Sequence, residues 1–154
     1  MDGVEHLVNG GRIMRLWHQQ LLEKLPNNQL KGQHRECCAL RGNGWKVKHS
    51  TVNYIFDYHW YILFLYHMKV VEEINKRNEK GLMNYKVKSF WYNPLYRGKL
   101  CNYRCKFFED EIENIIQNYL DHPQYHLFGT YYKEHNSDYE KECIENLRKK
   151  GVEI

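Results

Sequence analysis

The longest unbroken apolar run, Trp60-Tyr61-Ile62-Leu63-Phe64-Leu65-Tyr66, heads a segment of about residues 58–79 that stays apolar on nearly every side as far as Val71. A helix without a polar face has to be covered on all sides by the rest of its chain. The segment is therefore expected to form the central core helix, opened by Asp57 as its cap and stopped at Gly81. The apolar run itself, Trp60 to Tyr66, is far shorter than the ~20 apolar residues that a membrane span requires.

Helical signals surround it. Leu16, Trp17, Leu21 and Leu25 fit one face of a helix over 15–25, which Pro26 ends. Asn27 or Asn28 can cap a second helix running to about Arg41, with Gly42-Asn43-Gly44 as its stop. Ser50 or Thr51 opens a short helical turn. Residues 82–106, with Pro94 and Gly98, show no period and read as a long irregular connection. Helical pattern resumes over about 107–120. Ser137-x-x-Glu140 is a capping box, and Lys149-Lys150-Gly151 closes the last helix. The expectation is one compact all-α domain over 14–154, with long irregular connections and residues 1–13 as a leader.

Charge narrows the partner. The net charge of +4 hides a gradient: −1 over residues 1–13, +5 over 14–50, +5 over 51–105 and −5 over 106–154. Aromatics make up 15% of the chain, and rings interleaved with Lys and Arg suit a polyanion, because cations neutralise phosphates while rings stack on bases. The competing reading is an ordinary solvated surface. The first residues lack the basic start and apolar core of a secretion signal, so the expected location is the cytoplasm. The five cysteines, Cys37, Cys38, Cys101, Cys105 and Cys143, are then expected to be reduced. Cys101-x-x-x-Cys105 has no second pair at zinc-ribbon spacing, which favours small buried hydrophobes over a metal site.

On the second helix, at 100° per residue, Leu30, His34, Cys37 and Arg41 form one stripe and Gln29, Gln33, Glu36 and Leu40 another, about 100° away. Arg35 projects to the other side. Glu36 is the only acid between Lys24 and Asp57. An isolated acid in a basic stretch is a better candidate for a functional carboxylate than any in the acidic C-terminal third.

Met14-Arg15-Leu16-Trp17-His18, followed by Gly32-Gln33-His34-Arg35-Glu36-Cys37-Cys38-Ala39-Leu40-Arg41-Gly42-Asn43-Gly44-Trp45, closely resembles bacterial members of the pyrimidine-dimer DNA glycosylase family, the endonuclease V-like enzymes. The similarity continues through Tyr58–Asn78, Tyr96-Arg97-Gly98 and the segment from Glu134-His135-Asn136 to Lys150. The resemblance implies a compact helical glycosylase with an associated lyase activity that acts on damaged duplex DNA. The family's nucleophile is the free α-amine of the first residue, which expels the damaged base from C1′ and forms an imine. Its catalytic glutamate lies in an Arg-Glu pair that Arg35-Glu36 matches, and Arg15 matches its early arginine. Imine chemistry needs no metal or nucleotide cofactor. The expected partner is damaged double-stranded DNA, bound by a monomer.

Carried onto this chain, the catalytic residues are Glu36 and Met14. The DNA contacts are Arg15, Arg35, Arg41, Gln29, Lys31, Lys46, Lys48, Arg97, Tyr131, Tyr132 and Lys133. Three departures stand out. Thirteen residues precede Met14, and an internal Met14 has an amide nitrogen that cannot form an imine. Gly10-Gly11-Arg12-Ile13 fits purine-rich codons ahead of a start codon, so translation is expected to begin at Met14. Arg15 is too bulky for Met removal, which would leave Met14 its own free amine. The alternative is a genuine leader that is harmless or trimmed. Second, Cys37-Cys38-Ala39 stand where the phage member has another arginine, and Arg41 is the nearest substitute. Third, Tyr131-Tyr132-Lys133 is the counterpart of an aromatic, basic tail, although core packing explains these tyrosines equally well. Lys31 is the rival amine. The competing functions are a non-catalytic DNA-binding protein that keeps the fold, and an interaction protein with a merely solvated basic stretch.

Overall fold

The computed structural model describes residues 14–42, 44–48, 51–94, 117 and 129–154. Among these residues the regular structure is helical, and no strand occurs. The all-α expectation holds. The α-helices α1 (Asn27–Arg41), α2 (Trp60–Glu79) and α3 (Ser137–Lys149) are accompanied by 3-10 turns at Gln19–Lys24, before α1, at Asn53–Asp57, before α2, and at Ser89–Tyr92, after α2. Of the helical segment expected over 107–120 only Gln117 is described, and it is helical.

Helix α2 is the core element the apolar run predicted. Ile62, Leu63, Tyr66, Val70 and Ile74 pack into one cluster with Leu30, Cys37 and Leu40 of α1, the N-terminal residues Leu16, Trp17, Leu21, Leu22 and Leu25, and Cys143 and Leu147 of α3. Each fully buried aliphatic side chain contributes about 1.5–3 kcal/mol. Trp60, Tyr61 and Phe64 form a smaller cluster at the start of α2.

Several boundaries differ from the sequence reading, each because a side chain found another partner. The cap of α2 is His59, whose ring Nδ1 accepts from Tyr61 N at 3.1 Å, whereas Asp57 ends the preceding 3-10 turn. That turn is preceded by Val52, not opened by Ser50 or Thr51. Pro26 precedes α1 directly. Asn27 does not cap it, because its amide bridges Leu82 O and the Arg77 guanidinium. At α3 the capping oxygen comes from Asn136, which accepts from Tyr139 N at 2.9 Å, one residue ahead of the expected Ser137. The stops fell where glycine marked them. Gly81 (φ 74°) follows α2, with Leu82 N bonding back to Arg77 O, and Gly151 (φ 85°) follows α3 in the same way.

The largest departure is at the start. Residues 14–18 are not helical, and only Gln19–Lys24 make a 3-10 turn, capped by His18. The backbone groups that a helix would have used are taken by side chains of α1, α2 and α3. Beyond α1, Gly44 closes the turn by donating to Ala39 O at 2.8 Å. A Cβ there would meet that same oxygen at 2.8 Å.

Candidate active site

Glu36 lies in the third turn of α1, where its stripe faces the non-helical N-terminal segment. Its Oε2 accepts from Arg15 N at 2.8 Å, and the residue is 8% exposed. One turn earlier, Gln33 is fully buried and bonds the same segment twice: Nε2 donates to Arg15 O at 2.9 Å and Oε1 accepts from Trp17 N at 2.6 Å. Tyr66 of α2 donates to both Gln33 Oε1 and Trp17 O. From the other side, Tyr139 of α3 donates to Leu16 O at 2.6 Å. The Met14 carbonyl accepts from the Thr51 hydroxyl, and the Met14 side chain is 3% exposed. Residues 14–17 are thus held on both sides, with a carboxylate against the peptide that joins residues 14 and 15.

Arg15 reaches away from Glu36. Its Nη1 pairs with Glu142 of α3 at 2.9 Å, and the guanidinium lies over the rings of Trp17 and Tyr139 at 5.7 and 5.8 Å. Burial works against its charge, but Tyr139 and Glu142 outweigh that and raise its pKa. Arg35 is exposed. Tyr139 and Glu142 were not singled out in the sequence, since contacts more than 120 residues apart leave no local signal. Gln33 did leave one: it sits on the Glu36 stripe.

The other polar flank of α1 is of a different kind. His34 Nδ1 lies 2.8 Å from His67 Nε2, and His67 Nδ1 lies 2.9 Å from Arg41 Nη1. Arginine can only donate, so His67 Nδ1 accepts, and His67 Nε2 carries the hydrogen given to His34. Both rings are buried and neutral. Burial, then the nearby Arg35 and Arg41 charges, bring His34 down to about 4. Burial, then Arg41, keeps His67 well below its usual value. Cys38 Sγ completes a group of three potential metal donors, all within 4.8 Å. The proton assignment argues against that use: a metal-bound imidazole turns its other N–H toward an acceptor, whereas His67 meets a guanidinium. Cys38 is also held protonated by burial, its pKa raised to about 11.

A family model for pyrimidine dimer DNA glycosylases matches residues 14–93. The chain belongs to this family. It is a DNA repair glycosylase, an enzyme whose substrate is DNA. No curated protein and no solved structure matched the chain.

For a glycosylase with a DNA substrate, the placement of the other expected contacts matters. Lys46, Lys48 and Lys133 are exposed, Gln29 and Lys31 are half-buried, and Lys31 Nζ lies over the Tyr85 ring at 5.6 Å. Arg97 lies outside the described residues. Arg41 does not point outward: it is 6% exposed and donates to Trp91 O at 3.0 Å and Asn93 O at 2.8 Å, with its guanidinium over Phe64. Its arginine character serves the interior. Tyr132 is fully buried between Tyr54 and Tyr58, so packing, the alternative reading, describes its place. Tyr131 is half-buried, its backbone N–H held by Gln19.

Proposed function

We propose that this glycosylase excises pyrimidine dimers, or a closely related lesion, from duplex DNA and then cuts the strand by an associated lyase step. The nucleophile is the α-amine of residue 14 in a chain that begins there, and Glu36 is the acid–base partner. The observation that carries the reading is the 2.8 Å contact from Arg15 N to Glu36. One residue spans at most ~3.6 Å, so the nitrogen of residue 14 lies one short step from the carboxylate. The family match also begins at residue 14.

The amine lone pair forms a bond to C1′ as the bond from C1′ to the damaged base breaks. The C1′–O4′ bond then breaks, with O4′ taking up the proton that nitrogen gives up, which opens the sugar and gives the imine. Glu36 stabilises the positive charge that develops on the sugar. It then takes the C2′ proton while the bond from C3′ to its phosphate oxygen breaks, which cuts the strand. An α-amine suits the first step because its pKa of ~7.7–8.0 leaves roughly a tenth neutral at pH 7, against well under a thousandth for a lysine near ~10.4. Arg35 and Arg15 contact the phosphates at the lesion. The reading includes a monomer that acts in the cytoplasm without metal or nucleotide.

The test compares the chain started at Met14 with the chain started at Met1 on ultraviolet-irradiated duplex in the presence of borohydride. A covalent adduct on the Met14 peptide of the shorter chain is the expected result. An adduct on Lys31 would overturn the amine assignment but leave the enzyme. Salt-sensitive binding without any adduct would favour a non-catalytic DNA-binding protein.

A further inference from the structure

Residues 80–94 contain no Asp or Glu, and the segment carries Lys80, Lys86 and Lys88. Its only regular element is the 3-10 turn Ser89–Tyr92, yet the fold anchors it heavily. Asn78 bonds Tyr85 at both N and O, at 3.0 and 2.8 Å, and Arg41 bonds Trp91 O and Asn93 O. The Trp91 ring lies 3.9 Å from His34, centroid to centroid. Burial alternates along 83–88: Met83, Tyr85 and Val87 pack toward the core, while Asn84, Lys86 and Lys88 are exposed. Lysines two residues apart in such a segment share one side. Phe90, 46% exposed, follows them.

This segment also borders the exposed face of α1. Arg35 is exposed on that helix, and Lys31, one turn before it, lies over Tyr85. Tyr85 thus joins the segment to α1 beside Lys31, and the segment adds Lys86, Lys88 and the Phe90 ring on its exposed side.

We propose that residues 82–93 form a second contact wall for duplex DNA, with Lys86 and Lys88 on backbone phosphates and Phe90 against the sugar–base edge. Arg41 is its positioning residue, because it fixes the two carbonyls that flank Tyr92. A well-anchored loop that presents cations and carries no acid of its own suits phosphate contacts, which set register and orientation on the duplex. The inference rests on the family's DNA substrate and not on the residue-14 amine mechanism.

The experiment measures binding of the full chain to ultraviolet-irradiated duplex across a salt series. Lys86→Ala/Lys88→Ala is expected to lower affinity about tenfold near 0.1 M salt, and to make the plot of log affinity against log salt shallower by about 2. Phe90→Ala is expected to lower affinity a few-fold with the slope unchanged. Lys141→Ala/Lys149→Ala on α3 removes the same charge elsewhere and is expected to change neither quantity. A wild-type slope for the Lys86/Lys88 variant overturns the proposal. So does an equal loss in the α3 control, which would reduce the effect to net charge. Failure of the wild-type chain to bind duplex would sink the DNA reading together with this wall. Binding without a borohydride adduct would sink only the amine mechanism.

Discussion

Helix α1 carries two polar flanks, and they do opposite things with similar materials. On one side Glu36 and Gln33 face the backbone of residues 15–17, and the carboxylate keeps some exposure. On the other, His34, His67 and Arg41 form a closed chain of hydrogen bonds whose protons are assigned by the obligate donor at its end. Imidazoles near neutrality are the usual candidates for proton transfer, yet these two are held neutral by burial, and the His67 N–H is spent on the His34 ring. The acid beside a backbone nitrogen is the flank with chemistry to offer. Residue type alone would have ranked them the other way.

The sharpest way to break this contrast is Glu36→Gln, which keeps the shape and removes the charge. Strand cleavage is expected to fall by a factor of roughly 10²–10⁴, with binding to damaged duplex retained. Unchanged cleavage in a single-turnover assay would remove Glu36 from the chemistry. On the opposite flank Arg41→Ala leaves two loop carbonyls without their donor and is expected to cost about 2–4 kcal/mol of stability, read by urea denaturation. A change below ~0.5 kcal/mol would mean that the chain of hydrogen bonds is not holding the loop.

The third test uses pH. His34 is lowered in the folded state to about 4 by burial and then by Arg35 and Arg41, while its unfolded value is ~6.5. Between those values the unfolded chain binds more protons, so the stability from keeping the ring neutral is complete above about 6.5 and is lost as pH falls toward 4. The melting temperature should decline through that window, and a flat profile would contradict a neutral, enclosed His34. The smallest effect is expected at Glu142→Gln. Its pair with Arg15 is partly solvated, and breaking it frees a guanidinium for phosphate. Duplex affinity should rise about two- to fivefold, in keeping with the modest worth of such pairs. A fall in affinity would show that Glu142 orients Arg15 productively.

Much of α1 and α2 was legible because their signals are local: Pro26 before α1, Gly42 after it, the apolar run of α2 and Gly81 beyond. The Glu36 stripe was legible for the same reason, since helical spacing alone puts Gln33 and Glu36 on one side. The N-terminal segment was not. Its leucines and Trp17 have helical spacing, but buried amides and hydroxyls distant in sequence claim its backbone, and a pattern of apolar residues does not register such competition. Arg41 misled for a related reason. It stands as the nearest substitute for a family arginine, and nothing near it in sequence announces the loop, Trp91 to Asn93, whose carbonyls it meets. His59 displaced Asp57 as the cap of α2 because Asp57 is itself the last residue of the 3-10 turn.

The grip on residues 15–17 works as a ruler. Arg15 and Trp17 turn backbone groups toward α1, while Leu16 turns its carbonyl toward Tyr139. Sliding the segment by one position would take Arg15 and Trp17 away from Glu36 and Gln33, and would take the Leu16 carbonyl away from Tyr139. The position of the residue 14 nitrogen relative to Glu36 is therefore fixed by the fold. If the α-amine proposed above is the nucleophile, starting the polypeptide one codon early or late would misplace it by a full residue without loosening anything downstream, and a well-folded product would be inert.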